Sequence, residues 1–447
     1  MPNKASNNKI VLTKAQQCIF DNITTNVSEY PGRYHVSING YAGTGKSTLI
    51  SRIIAWLRAQ NYSVAVTTPT HKANKVISRM LFNEKIKASD DLLLCTIHSF
   101  LGLKLVYEEN HQKLVLSKTK NSQYNPDVLI VDECSMVSDE LLKHIMDQAS
   151  RVRRCIIFLG DECQLPPVDT NKTTMELSKT FEFGNPYKLT EVLRQAADNP
   201  IIGFSIKVRE CLKTKTHPVS LLKQTEFTDA IYKINSTSEF TDTYIDMIRH
   251  DDMEKLFESV ENNKILSYTN AKVDDYNKYI RDRLFADKAS VEFFEGEPIV
   301  YEEVTENCPF FVQDSMLCPR IVPDMYLGIE CWRLHYPSGD VVYAVGPSSK
   351  AGYNEFLKMM VDAIKLKMEN PLTKRPFCWQ DYYVIKNRIC VINYPYATTI
   401  HKSQGSTFDN IWLDLGYLAK VPDIESAVRI LYTGITRPRQ SILLLND

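Results

Sequence analysis

At 447 residues, 44% hydrophobic and 24% charged, the chain is too long for one hydrophobic core and has the composition of a globular protein of two to four domains. Its net charge of −1 excludes a uniformly basic nucleic-acid coat, so any such partner has to be held by local patches. No apolar run approaches the roughly 18 residues of a membrane span, and the first residues lack the apolar core of a signal peptide. Eleven cysteines without C-x-x-C or zinc-ligand spacing fit reduced, mostly buried thiols in a cytoplasmic setting.

The stretch from His35 opens as a strand and breaks at Gly40. Leu49, Ile53, Ile54 and Leu57 then recur at helical spacing. Between them lies G-x-x-x-x-G-K-S, Gly40 to Ser47. Glycines at 40, 43 and 45 let successive backbone N–H groups turn onto a phosphate, and the following helix adds its N-terminal partial charge. In such a turn Lys46 reaches the β- and γ-phosphates and Ser47 offers a hydroxyl to Mg²⁺.

Further along, residues 101–118 alternate apolar positions (Leu103, Leu105 and Tyr107, then Leu114 and Leu116) around a polar turn, the pattern of a hairpin. Val128–Val131 is a continuous apolar run, as suits a central parallel strand, and ends in Asp132 and Glu133. Carboxylates at that end of a strand lie where open α/β sheets bind ligands, Asp132 suiting the Mg²⁺ shell and Glu133 the attacking water. A second apolar strand, Cys155–Leu159, leads to Gly160, Asp161 and Gln164, a neutral group able to hydrogen-bond a γ-phosphate. Together these make a nucleotide hydrolase; the missing Asn-Lys-x-Asp disfavours a GTPase switch.

Residues 328–347 read as strand, Ser-Gly-Asp turn and strand. Behind them Tyr353, Phe356, Leu357, Met360, Ile364 and Met368 share one helical face. Near the end, "LYTGITRPRQ" sets Arg437 and Arg439 behind a Tyr-Thr-Gly turn and ahead of an apolar strand, Ser441–Leu445. Pro438 biases Arg437 toward extended backbone.

The ordered set "LTKAQQ", "GYAGTGKST", "TTPTHKANKV", "TIHSFLG", "VDECSM", "LGDECQLPPV", "LTEVLRQ", "YTNAKVDDYN", "TTIHKSQGSTFDNIWLD" and "YTGITRPR" resembles the superfamily 1 DNA helicases of the RecD-like branch, and among them the phage Dda-type enzymes. The resemblance covers Leu12 to Arg439. It implies an α/β fold of two RecA-like P-loop domains with parallel sheets, plus a β-hairpin insertion and a small β-barrel insertion. Residues 1–180 would form the first domain, with the hairpin at 101–118 as a pin. Residues 181–286 and 396–447 would form the second, and 287–395 the barrel with a projecting helical arm.

The resemblance assigns Gln16 to the adenine, and Gly43, Thr44, Gly45, Lys46, Ser47 and Thr48 to the phosphates of ATP. Ser47 and Asp132 would hold Mg²⁺, and Glu133 would activate water. Gln164, Arg194, Gln404 and Arg437 would couple ATP to domain closure, Arg437 as an arginine finger. Thr70, His71, Thr96, His98, Thr269, Asn270, Thr399, His401 and Lys402 would grip a nucleic-acid backbone, although each alone more often reads as a capping or hydrogen-bonding residue.

The implied activity is ATP-driven 5′→3′ translocation on single-stranded DNA, with unwinding at forks in replication or recombination. An RNA helicase and a translocase that displaces bound proteins are the alternatives. An ATP-operated switch with little turnover is disfavoured by Glu133, Gln164 and Arg437 together. Expected partners are single-stranded and forked duplex DNA and single-strand-binding or replication proteins, with no membrane. The expected species is a monomer in the cytoplasm of a bacterial or phage-infected cell.

Overall fold

The computed structural model describes residues 12–84, 86, 91–108, 113–118, 125–167, 175–193, 199–224, 230–305, 308–369 and 377–445. Two units emerge from its contacts. The first comprises Met1–Glu226 with Gln404–Ser406 and Val421–Thr436. The second comprises Phe227–Ser403, Thr407–Lys420 and Arg437–Asp447.

The first unit is built on a six-stranded parallel sheet of β1 (His35–Gly40), β2 (Val64–Thr68), β3 (Leu92–Thr96), β6 (Val128–Val131), β7 (Cys155–Gly160) and β8 (Asn185–Leu189), in the order β3-β2-β6-β7-β1-β8. The apolar runs of β6 and β7 are buried throughout because helices cover both faces. Ile130 and Ile157 face a cluster with Ile38, Ile53 and Val66; Leu129, Val131 and Phe158 face another with Ile145. Helices α1 (Lys14–Glu29), α2 (Lys46–Ala59), α3 (His71–Asn83), α4 (Ile97–Leu101) and α5 (Asp139–Val152) link or flank these strands. After β8 come α6 (Pro200–Thr214) and α7 (Pro218–Gln224). Between β3 and β6, β4 (Leu103–Glu108) pairs antiparallel with β5 (Lys113–Lys118), placing Leu105 opposite Leu116 and Tyr107 opposite Leu114.

The domain boundary expected at residue 180 differs from this division. β8 lies beyond it, yet pairs in parallel with β1 as the edge of the first sheet. Motif spacing cannot show that a later strand returns to the first sheet. The terminal segment is likewise divided, since Val421–Thr436 packs with the first unit.

The second unit carries a five-stranded parallel sheet of β9 (Ile231–Ile234), β10 (Asn263–Ser267), β17 (Ala397–Thr399), β18 (Phe408–Asp414) and β19 (Pro438–Leu445), in the order β17-β10-β18-β19-β9. Helices α8 (Thr237–Ile248), α9 (Met253–Asn262) and α10 (Asn270–Leu284) accompany it. A further six-stranded sheet is formed by β11 (Pro298–Glu303), β12 (Ser315–Leu317), β13 (Arg320–Tyr326), β14 (Ile329–His335), β15 (Val341–Val345) and β16 (Ile389–Asn393). All its pairings are antiparallel except β15 with β16. This region is not walled off from the parallel sheet. Ile299, Tyr301 and Ala344 share one core with Ile265, Tyr276 and Trp412.

Helix α11 (Pro347–Glu369) buries Tyr353, Leu357 and Met360 against Val345 and Val391, joined by α12 (Trp379–Lys386) through Ile385. The last helix, α13 (Ile424–Ile435), occupies the place where the sequence suggests a Tyr-Thr-Gly turn. Asp423 caps it by accepting from Ser426 N–H, and every residue from Ser426 to Ile435 is buried. Its apolar residues recur at helical spacing, but Thr433 and Gly434 are poor helix formers and suggest a break. Among the described residues, no helix is long and apolar enough to cross a membrane.

Candidate nucleotide and nucleic-acid site

Three consecutive strands of the first sheet end at one place. β1 delivers Gly40 and the glycine-rich loop, β7 delivers Asp161, and β6 delivers Asp132 and Glu133. Asn39 is paired with Gly160, so Gly40 and Asp161 leave the sheet side by side. The loop curls into the N-terminus of α2, with Gly43 and Gly45 at φ of +77° and +76°. Thr44 braces it by donating to Tyr41 O at 2.8 Å. A cradle of N–H groups at a helix N-terminus is a site for phosphate. Ser47 lies exposed in the first turn of α2, and Thr48 follows it half-buried.

Lys46 is folded back over the loop. Its ammonium donates to Gly40 O and to Tyr41 O at 3.4 Å, and stands 4.0 Å from Asp161 Oδ2. Gln16 is almost fully buried. Its Nε2 donates to Thr44 O (3.0 Å) and Gly45 O (3.3 Å), while its Oε1 accepts from Thr13 N–H (2.9 Å) in the capping box of α1. The residue expected at the adenine is thus also a brace of the phosphate loop.

The carboxylates are held under strain. Burial, with Glu133 beside it, pushes the Asp132 carboxyl up to about 7, against a backbone hydrogen bond and Lys46, which pull it down. Glu133 sits at φ +52°, a left-handed conformation costly for a side chain with a Cβ, and its Oε2 is buried without a hydrogen-bond partner. Gln164 Oε1 is orphaned in the same way. Gln404 is buried and donates from Nε2 to Leu165 O at 2.9 Å, within the first unit.

These features fit a nucleoside triphosphate with Mg²⁺. The cradle is formed, two buried acceptors lack partners, and Asp132 is a carboxyl whose ionised form a cation would stabilise. Among the described residues no three His, Cys, Asp or Glu side chains converge as a cation cage. The donor set of Ser47 and Asp132 instead suits Mg²⁺, which keeps waters and shares phosphate oxygens.

The expected track residues follow strands in both units. Thr70 and Thr96 cap α3 and α4, accepting from Ala73 N–H and Ser99 N–H. Thr269 caps α10, accepting from Lys272 N–H, and Thr399 accepts from Lys402 N–H at 3.2 Å. The capping role is therefore real, but it uses only the oxygen. Each hydroxyl keeps its proton to donate, beside the N–H groups of a helix start or turn. His71 and Asn270 are the first residues of α3 and α10. His98 and His401 are shifted below the ordinary imidazole value by burial, so near neutrality they offer hydrogen bonds rather than charge. Tyr268 is stacked on Tyr417 with centroids 4.4 Å apart and lies 5.5 Å from the His401 ring. Lys402 is exposed and paired with Glu302 Oε1 at 3.3 Å.

Arg437 is buried directly after α13, and its carbonyl accepts from Phe408 N–H at 3.0 Å in the second unit. Arg439 is mostly exposed and bound to Asp409 (3.4 Å) and Thr407 (3.1 Å), so its visible role is a surface ion pair. Arg194 lies outside the described residues.

Sequence reasoning passed over three residues of α13. Arg429 donates to Glu162 O and to Gln164 O (3.3 Å), Tyr432 donates from its hydroxyl to Asp161 Oδ2 (2.7 Å), and Thr433 Oγ1 accepts from Leu165 N–H (3.0 Å). Their spacing of three and four residues was the available signal, hidden by a segment read as a turn.

Comparison with known proteins agrees with this geometry. The AAA domain family matches residues 12–220, and the UvrD-like helicase C-terminal domain family matches residues 394–445. The chain is 29% identical to the ATP-dependent DNA helicase dda of Enterobacteria phage T4, over 96% of this chain and 98% of that protein. It is 26% identical to the RecBCD enzyme subunit RecD of Buchnera aphidicola subsp. Schizaphis graminum, over 91% of this chain and 69% of that one. In fold it is similar to a structure of Pif1 helicases described for DNA unwinding at forked duplex DNA. That match has a TM-score of 0.50 and 15% identity, covering 97% of this chain and 92% of that one.

Proposed function

We infer that this chain, which belongs to the superfamily 1 helicases of the RecD-like branch, is an ATP-dependent DNA helicase that moves 5′→3′ on single-stranded DNA and unwinds forks. One observation carries the reading. Each unit presents threonines that accept backbone N–H groups just after a strand, Thr70, Thr96 and Thr269 at the start of a helix and Thr399 at a turn, while among the described residues the phosphate cradle is in the first unit. Two backbone grips and one fuel site are the parts of a motor that steps along a strand without reading its bases.

In this reading Lys46 exchanges the carbonyls of Gly40 and Tyr41 for the β- and γ-phosphates of ATP. Ser47 and Asp132 would hold Mg²⁺, which when bound would neutralise charge on the phosphate oxygens. Glu133 accepts a proton from, or orients, the attacking water, and its unpartnered Oε2 is the atom free to do so. Gln164 and Gln404 contact the γ-phosphate or its water, and Arg437 stabilises charge developing on the transferred group. Gln16 contributes both its brace and the adenine contact that the family resemblance assigns.

We read the β4–β5 pair as the strand-separating pin, and the six-stranded sheet between residues 298 and 393 as the family's small β-barrel, with α11 and α12 as its arm. A monomeric motor working beside single-strand-binding or replication proteins completes the reading, supported by resemblance.

ATP turnover measured alone, with single-stranded DNA and with single-stranded RNA tests it. Stimulation by DNA above RNA supports a DNA helicase, equal or greater stimulation by RNA favours an RNA helicase, and a flat response defeats the motor.

A further inference from the structure

We propose that Tyr432 is a positioning residue that reports the state of the phosphate loop to α13, through the single oxygen Asp161 Oδ2. The inference rests on the nucleotide-site reading above and assigns a role to two residues outside its catalytic set. Both side chains are sealed from solvent. Asp161 Oδ2 faces two groups at once, the Tyr432 hydroxyl at 2.7 Å and the Lys46 ammonium at 4.0 Å. Its other oxygen accepts from Cys163 N–H at 3.0 Å. The Tyr432 oxygen in turn accepts from Ala42 N–H at 3.0 Å, inside the glycine-rich loop. One phenol therefore bridges the loop that follows β1 and the carboxylate that follows β7.

The geometry makes the bridge sensitive to phosphate. Lys46 is the member whose present partners a phosphate can replace, a long side chain resting on loop carbonyls and near Asp161. When it turns to a γ-phosphate, Asp161 Oδ2 loses its cationic neighbour and keeps the hydrogen bond from the Tyr432 hydroxyl. A hydrogen bond to an unpaired buried carboxylate is stronger than one to a carboxylate sharing a cation. Tyr432 is then drawn more firmly to Asp161 when the nucleotide is in place. Burial, with Asp161 close by, holds the phenol well above its ordinary value, so it stays a donor at any working pH.

The pull is passed to a rigid lever. Arg429, Tyr432 and Thr433 lie on one face of α13 and grip Glu162, Asp161 and Leu165 in turn. The helix ends at Ile435, and Arg437 follows after the single cap residue Thr436. A shift of α13 relative to residues 161–165 therefore moves the mount of Arg437 by covalent connection. This path runs from phosphate occupancy to the arginine without passing through the nucleic-acid contacts.

A double-mutant cycle of Tyr432→Phe and Asp161→Asn tests the proposal, reading kcat and KM for ATP with saturating single-stranded DNA, and base pairs unwound per ATP. Phenylalanine keeps the ring and removes only the hydroxyl. The expected result for Tyr432→Phe is a kcat about tenfold or more lower, the size of a lost hydrogen bond to a charged group, with KM within about threefold and fewer base pairs per ATP. The double variant should lose less than the two single losses combined, because the two residues share one hydrogen bond. Additive losses, or a Tyr432→Phe enzyme whose kcat and coupling match wild type within about twofold, overturn the proposal. A lower melting temperature with a proportionate loss of active enzyme but unchanged coupling per ATP also overturns it, as that is a structural role only. Wild type measured alongside separates the two claims. If wild type turns over and unwinds, a negative cycle counts against Tyr432 alone; if wild type shows no DNA-stimulated turnover, the helicase reading falls and takes this inference with it.

Discussion

Gly45→Ala puts the phosphate cradle under a load that can be counted. Gly45 stands at φ +76° and ψ +32° as the residue that starts α2. A Cβ there would lie 2.4 Å from Gln16 Nε2 and 2.8 Å from Leu193 Cδ1, both closer than real side chains come. The left-handed backbone costs alanine about 1–2 kcal/mol. Displacing the Gln16 amide forfeits its two hydrogen bonds to Thr44 O and Gly45 O, about 1 kcal/mol each. The sum is about 3–4 kcal/mol, or roughly 10²- to 10³-fold in an equilibrium constant. The loop can relieve this load by leaving the cradle shape, so the cost should appear in nucleotide affinity more than in melting temperature. Titration of a fluorescent ATP analogue, with a thermal melt of the same sample, measures both. Gly203→Ala is the control: it lies within α6 with nothing within 4 Å of the added carbon, and should be neutral or stabilise by about 0.5–1 kcal/mol. A Gly45→Ala protein that binds ATP within about threefold of wild type would refute the reasoning.

Glu133→Gln removes a charge whose Oε2 has no protein partner, so the melting temperature should hold while kcat falls by about 10²–10⁴-fold and ATP binding persists; a variant with half the wild-type turnover contradicts the role of Glu133. Arg437→Ala should still bind ATP but lose about 10³-fold in hydrolysis along with unwinding, and near-normal turnover would end the arginine-finger assignment. Lys402→Ala should flatten the log–log salt dependence of single-stranded DNA binding by about 0.7, whereas His401→Gln should weaken binding alike at every salt concentration. The sign of the imidazole shift adds a pH test. His98 and His401 are lowered from their ordinary value by burial, so both are already neutral at pH 7 and affinity should stay level from pH 7 to 8. A fall across that range which His401→Gln abolishes would show a charged imidazole instead.

Most of the proposed nucleotide site was legible in the sequence because the chemistry it would serve constrains residue types at fixed spacing. Gly40 to Ser47, the acidic end of Val128–Val131 and Asp161 after Cys155–Leu159 are local patterns, and the sheet order carries them to one edge. Contacts made at long range were not legible. Nothing local tells that Asn185–Leu189 pairs back onto β1, or that Gln16 reaches the carbonyls of Thr44 and Gly45. Nor does composition show that residues 298–393 share a core with the parallel sheet through Ile299 and Tyr301. The C-terminal helix was missed for a different reason. Residues Ile424–Ile435 carry helical periodicity, but Thr433 and Gly434 are poor helix formers and read as a turn. The threonines show the reverse case, where two readings given as alternatives turn out compatible, because a capping hydroxyl accepts with its oxygen and still has a proton to donate.

The account turns on directional unwinding powered by the site after β1. The most direct measurement uses three forked DNA substrates, with a 5′ single-stranded tail, a 3′ tail or both, unwound in the presence of ATP and Mg²⁺. The account predicts strand separation of the 5′-tailed and double-tailed substrates and none of the 3′-tailed one, with all activity lost in Lys46→Ala. Equal unwinding of the 5′- and 3′-tailed substrates, or unwinding that survives Lys46→Ala, would contradict it.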